Sequence, residues 1–200
     1  MPRLEDYKVV FVAAGLIGVL LFAYPTLSLV IHLPGGEKFS ELWILGPEHM
    51  AENYPFNVTA GHSYTVYVGV GNQMGSSTYY VVYVKFGNQT EPLPNATAGI
   101  PSPLPPLYEY RFFLQNARTW EAPLTFSFLE VLFSNGQSLV KSLTINDVVF
   151  NVDKLTSWDT EKNGDYYQLL MELWIYNVES NATIFYNRYV SLWLNMTETV

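Results

Sequence analysis

The alternation of apolar and polar residues divides the chain into two parts with different periods. The first part, Val9–Ile31, is one apolar run without a charged side chain. As a helix it is about 34 Å long at about 1.5 Å per residue, whereas the hydrocarbon core of a bilayer is about 30 Å thick. The run therefore predicts a transmembrane helix over residues 9–32, with a kink at Pro25 that bilayer helices tolerate.

A cleaved signal peptide is the alternative interpretation of this run. Leu21-Phe22-Ala23 offers a cleavage point after Ala23, but such sites prefer small residues, and a signal peptide needs an apolar core of only about 7–15 residues. The apolar run continues past Ala23 as far as Ile31. We therefore expect an uncleaved signal-anchor.

After a linker at residues 33–38, apolar residues recur with a period of two, which is typical of half-buried β-strands. Phe39–Leu45 is the first predicted strand. Two more follow at His62–Gly71 and Tyr80–Phe86, and the turn residues Gly75–Ser77 between them predict a hairpin.

The remaining sequence continues this pattern to the end. Six prolines between residues 91 and 106 predict a solvated surface loop, because proline cannot pair within a central strand. Further strands are predicted at Tyr108–Leu114, Leu124–Phe133, Leu139–Val152 with a break at Asn146-Asp147, Tyr166–Tyr176 and Thr183–Met196. Asn135-Gly136 is a tight-turn signal. Together these elements predict an all-β fold, an immunoglobulin-like antiparallel β-sandwich over residues 39–200.

Charge and cysteine content narrow the possible functions. Arg3 and Lys8 balance Glu5 and Asp6, so the net charge of −8 falls entirely on residues 33–200. An acidic domain argues against binding nucleic acid. The absence of cysteine excludes disulfides, thiolate metal sites, cysteine nucleophiles and iron–sulfur clusters.

Two signals predict the orientation in the membrane. Arg3 and Lys8 precede the span, and only Lys38 follows it closely, which favours a cytoplasmic N-terminus at residues 1–8. Every Asn-x-Ser/Thr sequon follows the span, which favours an extracellular domain with N-linked glycans. The predicted glycosylation sites are Asn57, Asn88, Asn95, Asn181 and Asn195.

The search for chemistry finds one candidate metal site. Asp159, Glu161, Asn163 and Asp165 place alternate oxygen donors around a glycine, as a calcium loop does. An EF-hand is excluded, because Leu170 occupies the position of the bidentate glutamate. We therefore expect a polar turn and no metal here, with a weak surface calcium site as the alternative interpretation. The three histidines have no ligand spacing, and no Gly-x-Ser-x-Gly elbow is present. The sequence therefore predicts no enzyme and no cofactor.

Several short motifs resemble the start of a known family. Leu45-Gly46-Pro47, Ala51–Pro55, Asn57-Val58-Thr59 with Gly61, and Val68-Gly69-Val70 with Asn72 resemble the archaeal family of unknown function 1616. Trp120–Pro123 and the closing Tyr189, Leu192, Trp193, Leu194 and Asn195 resemble its later landmarks. The resemblance covers about residues 40–197. It implies a membrane-anchored surface protein with an extracellular sandwich and an archaeal source, and it implies no activity.

The chain departs from the family pattern between Leu129 and Gly164, where it is longer. An insertion over about residues 129–164 predicts an extra hairpin or a short helix there.

These inferences favour a single-pass, glycosylated cell-surface protein of the cell membrane. We expect it to act through protein–protein contacts in the envelope, by self-association, or as an accessory subunit of a membrane complex. A membrane-tethered module that binds glycan or another ligand is the alternative, since aromatic side chains could form a sugar-stacking surface. Those aromatic residues are Trp158, Tyr166, Tyr167, Trp174, Tyr176, Tyr186, Tyr189 and Trp193.

Overall fold

The computed structural model describes residues 7–30 and 37–198, without the side chains of residues 23–30. The chain divides into two compact units, Met1–Glu37 and Lys38–Val200. Most of the predicted cytoplasmic N-terminus, the end of the predicted span at residues 31–32 and most of the predicted linker lie outside the described residues.

The first unit contains one helix, α1, over Lys8–Val30, which continues through Pro25. Its apolar side chains between Val9 and Phe22 are largely exposed. Within the described part of the chain, no helix combines the length and apolar character that crossing a membrane requires. The transmembrane helix stays a prediction.

The described part of the second unit, residues 38–198, consists of ten β-strands in two five-stranded sheets. Sheet A has the order β1-β3-β6-β7-β8, and sheet B has the order β2-β10-β9-β4-β5. Neighbouring strands are antiparallel except β2 and β10. This confirms the predicted all-β sandwich. The strands are β1 Phe39–Leu45, β2 Asn57–Val58, β3 Ser63–Gln73, β4 Thr78–Asn88, β5 Tyr108–Leu114, β6 Arg118–Ser134, β7 Gln137–Ile145, β8 Val148–Ser157, β9 Asp165–Asn177 and β10 Ala182–Met196.

The core lies between the two sheets and is built from alternate residues of the long strands. Because side chains on a strand point to opposite faces in turn, each strand contributes every second residue. The main contributors from the central strands are fully or almost fully buried: Val66, Val68, Val70, Tyr80, Val82, Val84, Phe86, Leu124, Phe126, Phe128, Leu169, Met171 and Leu173.

The predicted hairpin between β3 and β4 is wrong. β3 pairs with β1 and β6 in sheet A, whereas β4 pairs with β5 and β9 in sheet B. The chain crosses from one sheet to the other at residues 74–77, so both strands pack on the same core from opposite sides. Alternation identifies the buried face of a strand, but it does not identify the sheet to which that strand belongs.

The predicted tight turn at Asn135-Gly136 and the predicted break at Asn146-Asp147 are confirmed, whereas the turn predicted at Asn116–Pro123 is wrong beyond Ala117, because β6 begins at Arg118. Asn135 and Gly136 have φ values of 51° and 71° and join β6 to β7, while Asn146 and Asp147 have φ values of 46° and 65° and join β7 to β8. Paired positive φ values suit the twist of two-residue hairpins. The region 129–164 therefore contains a hairpin rather than a short helix.

β6 begins at Arg118, earlier than predicted, and contains Pro123. Pro123 pairs with Tyr67 of β3, but pairing with β7 starts only at Phe126. Proline is tolerated here because its missing N–H is not needed on the open side of the strand.

The proline-rich loop is only partly solvated, which corrects the prediction. Pro94, Ser102 and Leu104 are buried, and Leu107 N–H bonds to Val84 O at 2.8 Å. The loop therefore packs across the outer face of sheet B.

Candidate functional site

Three arrangements of polar side chains stand out in the sandwich, and the first lies on the outer face of sheet A. Cross-strand pairing places Trp43, Gly69 and Glu121 in one row. The Trp43 ring covers Gly69 so closely that a Cβ there would lie 2.2 Å from Trp43 Cε2. His49 Nδ1 lies 2.5 Å from Glu121 Oε1, and the His49 ring stacks on Tyr67 with 3.7 Å between the ring centroids.

The loop that carries His49 is a tight corner. His49 N–H bonds to Gly46 O at 3.0 Å, and Gly46 N–H bonds to Met50 O at 2.7 Å. A Cβ on Gly46 would lie 1.9 Å from Glu52 O, so only glycine fits the close approach of the two backbones. Tyr54 OH donates to Ile44 O at 2.9 Å and fixes the loop to β1. The Leu45–Pro55 motif therefore has a structural explanation.

The second arrangement is a buried ion pair beneath the proline-rich loop. Lys85 Nζ lies 2.8 Å from Glu172 Oε2 and donates to Ser102 O at 2.8 Å. Ser102 N–H donates to Glu172 Oε1 at 2.7 Å, and Trp174 Nε1 donates to Glu172 Oε2 at 3.0 Å. Such saturation of a buried pair by hydrogen bonds indicates a structural role.

Sequence analysis missed this pair. Lys85 and Glu172 lie on the strand faces opposite to the core residues of β4 and β9, where charged residues are expected to be solvated. The one feature of the sequence that could have indicated their burial is the proline-rich segment between β4 and β5, which is long enough to fold back over the sheet.

The third arrangement is a pocket of about 510 Å³ at one end of the sandwich. We call it the end pocket and define it by Gln137, Trp158, Asp165, Asn195 and Glu198, which are among its lining residues. They come from the β6–β7 turn region, the end of β8, the start of β9 and the end of β10. The ends of these strands, which are distant in sequence, meet only in the folded chain.

Asp165 is the unusual residue of the end pocket. It is only 4 % exposed, and its Oδ1 atom has no hydrogen-bond partner among the described residues. Burial raises the pKa of the Asp165 carboxyl, and a hydrogen bond with Ser138 opposes part of this rise. Ser138 is held in turn by Tyr167, whose hydroxyl donates to Ser138 O at 2.8 Å. Burial also raises the pKa of Tyr167, to about 12.

The residues of the predicted calcium site serve two different structural roles. Asp159 Oδ1 accepts the N–H groups of Glu161 at 2.9 Å and Lys162 at 3.0 Å, which closes a local turn. Asp165 instead lines the end pocket. In residues 37–198 as described, no three acidic or histidine side chains are grouped to hold a metal ion. The polar-turn interpretation accounts for the geometry of the segment that contains Asn163.

The five sequons fall into two groups. Asn57, Asn95 and Asn181 are exposed. Asn88 and Asn195 are half-buried, and their amide nitrogens are engaged. Asn88 Nδ2 donates to Leu155 O at 2.8 Å, and Asn195 Nδ2 donates to Asn57 Oδ1 at 2.9 Å.

An exposed apolar row crosses the outer face of sheet A near its edge. Leu132 pairs with Leu139, and Leu139 pairs with Leu155. Leu132 and Leu155 are 46 % and 47 % exposed. Beside this leucine row, Lys141 Nζ donates to Glu130 Oε1 at 2.7 Å.

Comparison with solved structures finds chains of low similarity to this one. A β-glucosidase from Listeria innocua is 11 % identical with a TM-score of 0.42, and the match covers 81 % of this chain but 16 % of that one. A chain of the complex of zinc α2-glycoprotein and prolactin-inducible protein from human seminal plasma is 10 % identical with a TM-score of 0.38, covering 81 % of this chain and 98 % of that chain. The C-terminal domain of Wzt is 10 % identical with a TM-score of 0.38, covering 84 % and 83 %. No curated protein matches the chain.

Comparison with family models supports the resemblance inferred from the motifs. Residues 33–131 match the model of DUF1616, a domain of unknown function. The match includes the Leu45–Pro55 motif and Trp120–Pro123, and it ends before Tyr189–Asn195. The archaeal source and the membrane anchoring that the resemblance implies stay predictions. Over residues 33–131, just under half of its length, this chain thus matches the DUF1616 family model.

Proposed function

We propose that the protein is a single-pass, membrane-anchored surface protein whose immunoglobulin-like sandwich acts through protein–protein contact rather than catalysis. The anchor is supported by the uncharged run Val9–Ile31 and by the helix over most of it. Export of the sandwich is supported by the five sequons, which all follow that run, and by the family resemblance.

The leucine row is the observation that carries the contact role. Fully burying a leucine side chain is worth about 1.5–3 kcal/mol, so half-exposed leucines leave a substantial part of that free energy unused. Leu132, Leu139 and Leu155 lie in register on three adjacent strands, and Leu129, also on β6, is 48 % exposed. A contiguous apolar surface of this kind marks an interaction site.

The edge of sheet A is open beside the leucine row. Among the strands that the structure describes, β8 pairs with β7 alone. At its C-terminal end, side chains occupy two carbonyls: Asn88 Nδ2 bonds to Leu155 O, and Gln89 Nε2 bonds to Ser157 O. Strand addition is therefore directed to the first half of β8, Val148–Val152, where Val149 is 58 % exposed.

We propose that the partner that binds this open edge is a second copy of this chain. Two copies meeting through β8 would form an isologous twofold contact, because an edge strand can pair antiparallel with its own copy. The net charge of −8 makes copies repel in general. Beside the leucine row, Lys141 pairs with Glu130, which removes one negative charge from the surface that two copies would share.

Single-cysteine cross-linking tests this contact cleanly, because the chain has no native cysteine. Asn151 is exposed in the open half of β8. We expect the full-length Asn151→Cys variant in mild detergent to form a disulfide-linked dimer on oxidation. Phe113→Cys is the matched control on β5, since Phe113 is 78 % exposed but lies on the other sheet.

Two further variants examine the apolar contribution to the dimer. Leu132→Lys and Leu155→Lys each place a charge in the leucine row, and we expect them to abolish the Asn151→Cys cross-link. For the wild-type chain in the same detergent, we expect size analysis to give the mass of a dimer. A monomeric wild-type chain would contradict the contact. Equal cross-linking yields for Phe113→Cys and Asn151→Cys would contradict it as well. A larger assembly with other subunits and no Asn151→Cys cross-link would contradict self-association.

The anchor is tested separately by membrane fractionation. We expect the full chain to remain with the membrane after carbonate washing and a variant lacking residues 9–31 to be released. Release of the full chain by the same wash would contradict the single-pass anchor without bearing on the dimer contact.

A further inference from the structure

The end pocket is built on fixed strand ends. Trp158 N–H donates to Gly136 O at 2.9 Å, which ties the end of β8 to the β6–β7 turn. Asn195 Oδ1 accepts the N–H of Asp165 at 3.1 Å, which ties the end of β10 to the start of β9. The opposing walls are therefore held by hydrogen bonds within the sandwich, and sites on rigid strands are more precise than sites on loops.

Trp158 supplies an apolar surface in this pocket. Its side chain is 45 % exposed, although tryptophan is largely buried in most proteins. A partly exposed aromatic ring in a cavity can stack against the C–H face of a ligand ring. Tryptophan is suited to this contact because its ring offers a large apolar surface.

Asp165 supplies a hydrogen-bonding group that lacks a protein partner. A buried oxygen without a hydrogen bond costs about 1–3 kcal/mol, and such atoms are rare in native structures. The Oδ1 atom of Asp165 is buried and has no hydrogen-bond partner among the described residues. A ligand hydroxyl that donates to Oδ1 would remove this cost.

The other lining groups define the charge of the ligand. The lining contains two carboxylates, Asp165 and Glu198, and the amides of Asn135, Gln137 and Asn195, but no lysine, arginine or histidine among the described residues. Anionic ligands are disfavoured here, whereas a ring with several hydroxyls finds both acceptors and donors. The volume of about 510 Å³ lies within the usual range of about 300–1,000 Å³ for small-ligand sites.

We infer that the end pocket binds an uncharged carbohydrate, whose ring stacks on Trp158 and whose hydroxyl donates to Asp165. This inference does not depend on the membrane anchor or on the contact through β8, because the pocket uses neither the leucine row nor the open half of the edge strand.

The test is a titration of the full chain with methyl glycosides of glucose, galactose, mannose and N-acetylglucosamine. The detergent must carry no sugar, so a dimethylamine-oxide detergent is used. Ligand-observed NMR and tryptophan fluorescence report binding. We expect saturable binding of at least one neutral glycoside with a Kd below about 10 mM, and at least tenfold weaker binding of the corresponding glucuronide.

Two site variants and one control locate the binding. We expect Trp158→Ala and Asp165→Asn to weaken binding of that glycoside at least tenfold. Trp193→Ala should leave it unchanged, since Trp193 is a comparably exposed tryptophan that is not part of the end-pocket lining. Thermal unfolding of each variant establishes that it is folded.

Three results would overturn the inference. The first is the absence of saturable binding by any neutral glycoside. The second is equal binding of the glucuronide, which would contradict the role of the carboxylates. The third is binding that survives in both Trp158→Ala and Asp165→Asn.

Discussion

Lys85 Nζ lies 2.8 Å from Glu172 Oε2, and the side chains of the two residues are 4 % and 0 % exposed. The two strands that carry them are neighbours in the middle of sheet B, and the proline-rich loop closes over the pair with the backbone of Ser102. Removing one partner of such a pair leaves an uncompensated buried charge, which costs about 3–5 kcal/mol. The pair therefore couples the loop to the sheet.

Glu172→Gln tests this coupling directly. We expect the variant to lower the free energy of unfolding by about 3–5 kcal/mol, because Lys85 keeps its charge without a counter-ion. The double variant Lys85→Met with Glu172→Gln should be more stable than Glu172→Gln alone, since no buried charge remains. Urea unfolding followed by tryptophan fluorescence measures both.

Glu109→Gln is the matched control for the buried pair. Glu109 forms an ion pair with Arg111 on β5, where both side chains are over 40 % exposed. Exposed pairs contribute little, so we expect a change below about 1 kcal/mol. Equal effects of Glu172→Gln and Glu109→Gln would contradict the structural role of the buried pair.

Gly69→Ala tests the contact between Trp43 and the surface of β3. The added Cβ would lie 2.2 Å from Trp43 Cε2, so the ring must move, and we expect a loss of about 1–3 kcal/mol in the free energy of unfolding. In a Trp43→Ala background the same change should cost less than about 1 kcal/mol, which a double-mutant cycle measures.

Gly71→Ala is the control on the same strand. Its Cβ would meet Glu41 Oε2 at 2.3 Å, but that atom is the end of a flexible side chain that can swing away. We expect a smaller loss than for Gly69→Ala. A Gly69→Ala cost that is unchanged without Trp43 would contradict the contact.

The stability of the sandwich should depend on pH through Asp165. Burial raises the folded-state pKa of Asp165 above its ordinary value of 3.8. The folded state thus binds the proton more tightly than the unfolded state, and this contribution to stability is fully present below pH 3.8 and lost as pH rises through the folded-state pKa. Asp165→Asn cannot ionise and should gain stability relative to the wild type over this interval.

Thermal unfolding at pH 3 and at pH 7 measures this difference. We expect the melting temperature of Asp165→Asn, relative to wild type, to be higher at pH 7 than at pH 3. Asp147→Asn, in the exposed β7–β8 turn, is the control and should show no such trend. A relative melting temperature for Asp165→Asn that is the same at both pH values would refute the effect of burial.

The geometry predicts which sequons carry glycans. We expect Asn95 and Asn181 to be occupied, because they are exposed and their amide nitrogens donate no hydrogen bond within the described residues. Asn88 and Asn195 should be unoccupied, because their nitrogens already bond to Leu155 O and Asn57 Oδ1. Glycopeptide mass spectrometry of protein from its native source measures each site, and full occupancy of Asn88 would contradict this grouping.

Local sequence was sufficient to predict most strands and turns. Phe39–Leu45 and Tyr108–Leu114 were predicted with the bounds that the structure has, because alternation of apolar residues reports which side chains face a core. Asn135-Gly136 is predicted as a turn and Asn146-Asp147 as a break between strands, because the left-handed backbone that tight hairpins need is least strained at glycine, asparagine and aspartate. The family was also evident from short motifs that build a corner and a close strand contact.

Only the tertiary structure decided which strands pair. The valines of β3 and β4 carry the same alternation whether the strands are neighbours in one sheet or face each other across the core. Lys85 and Glu172 likewise look like solvated residues until a loop from elsewhere covers them. Asp165 is one more polar residue of a turn in the sequence, and it becomes a buried, unpaired group only where four strand ends meet. Periodicity is a local property of the chain, whereas sheet membership, burial of charge and the shape of a pocket depend on contacts between residues far apart in sequence.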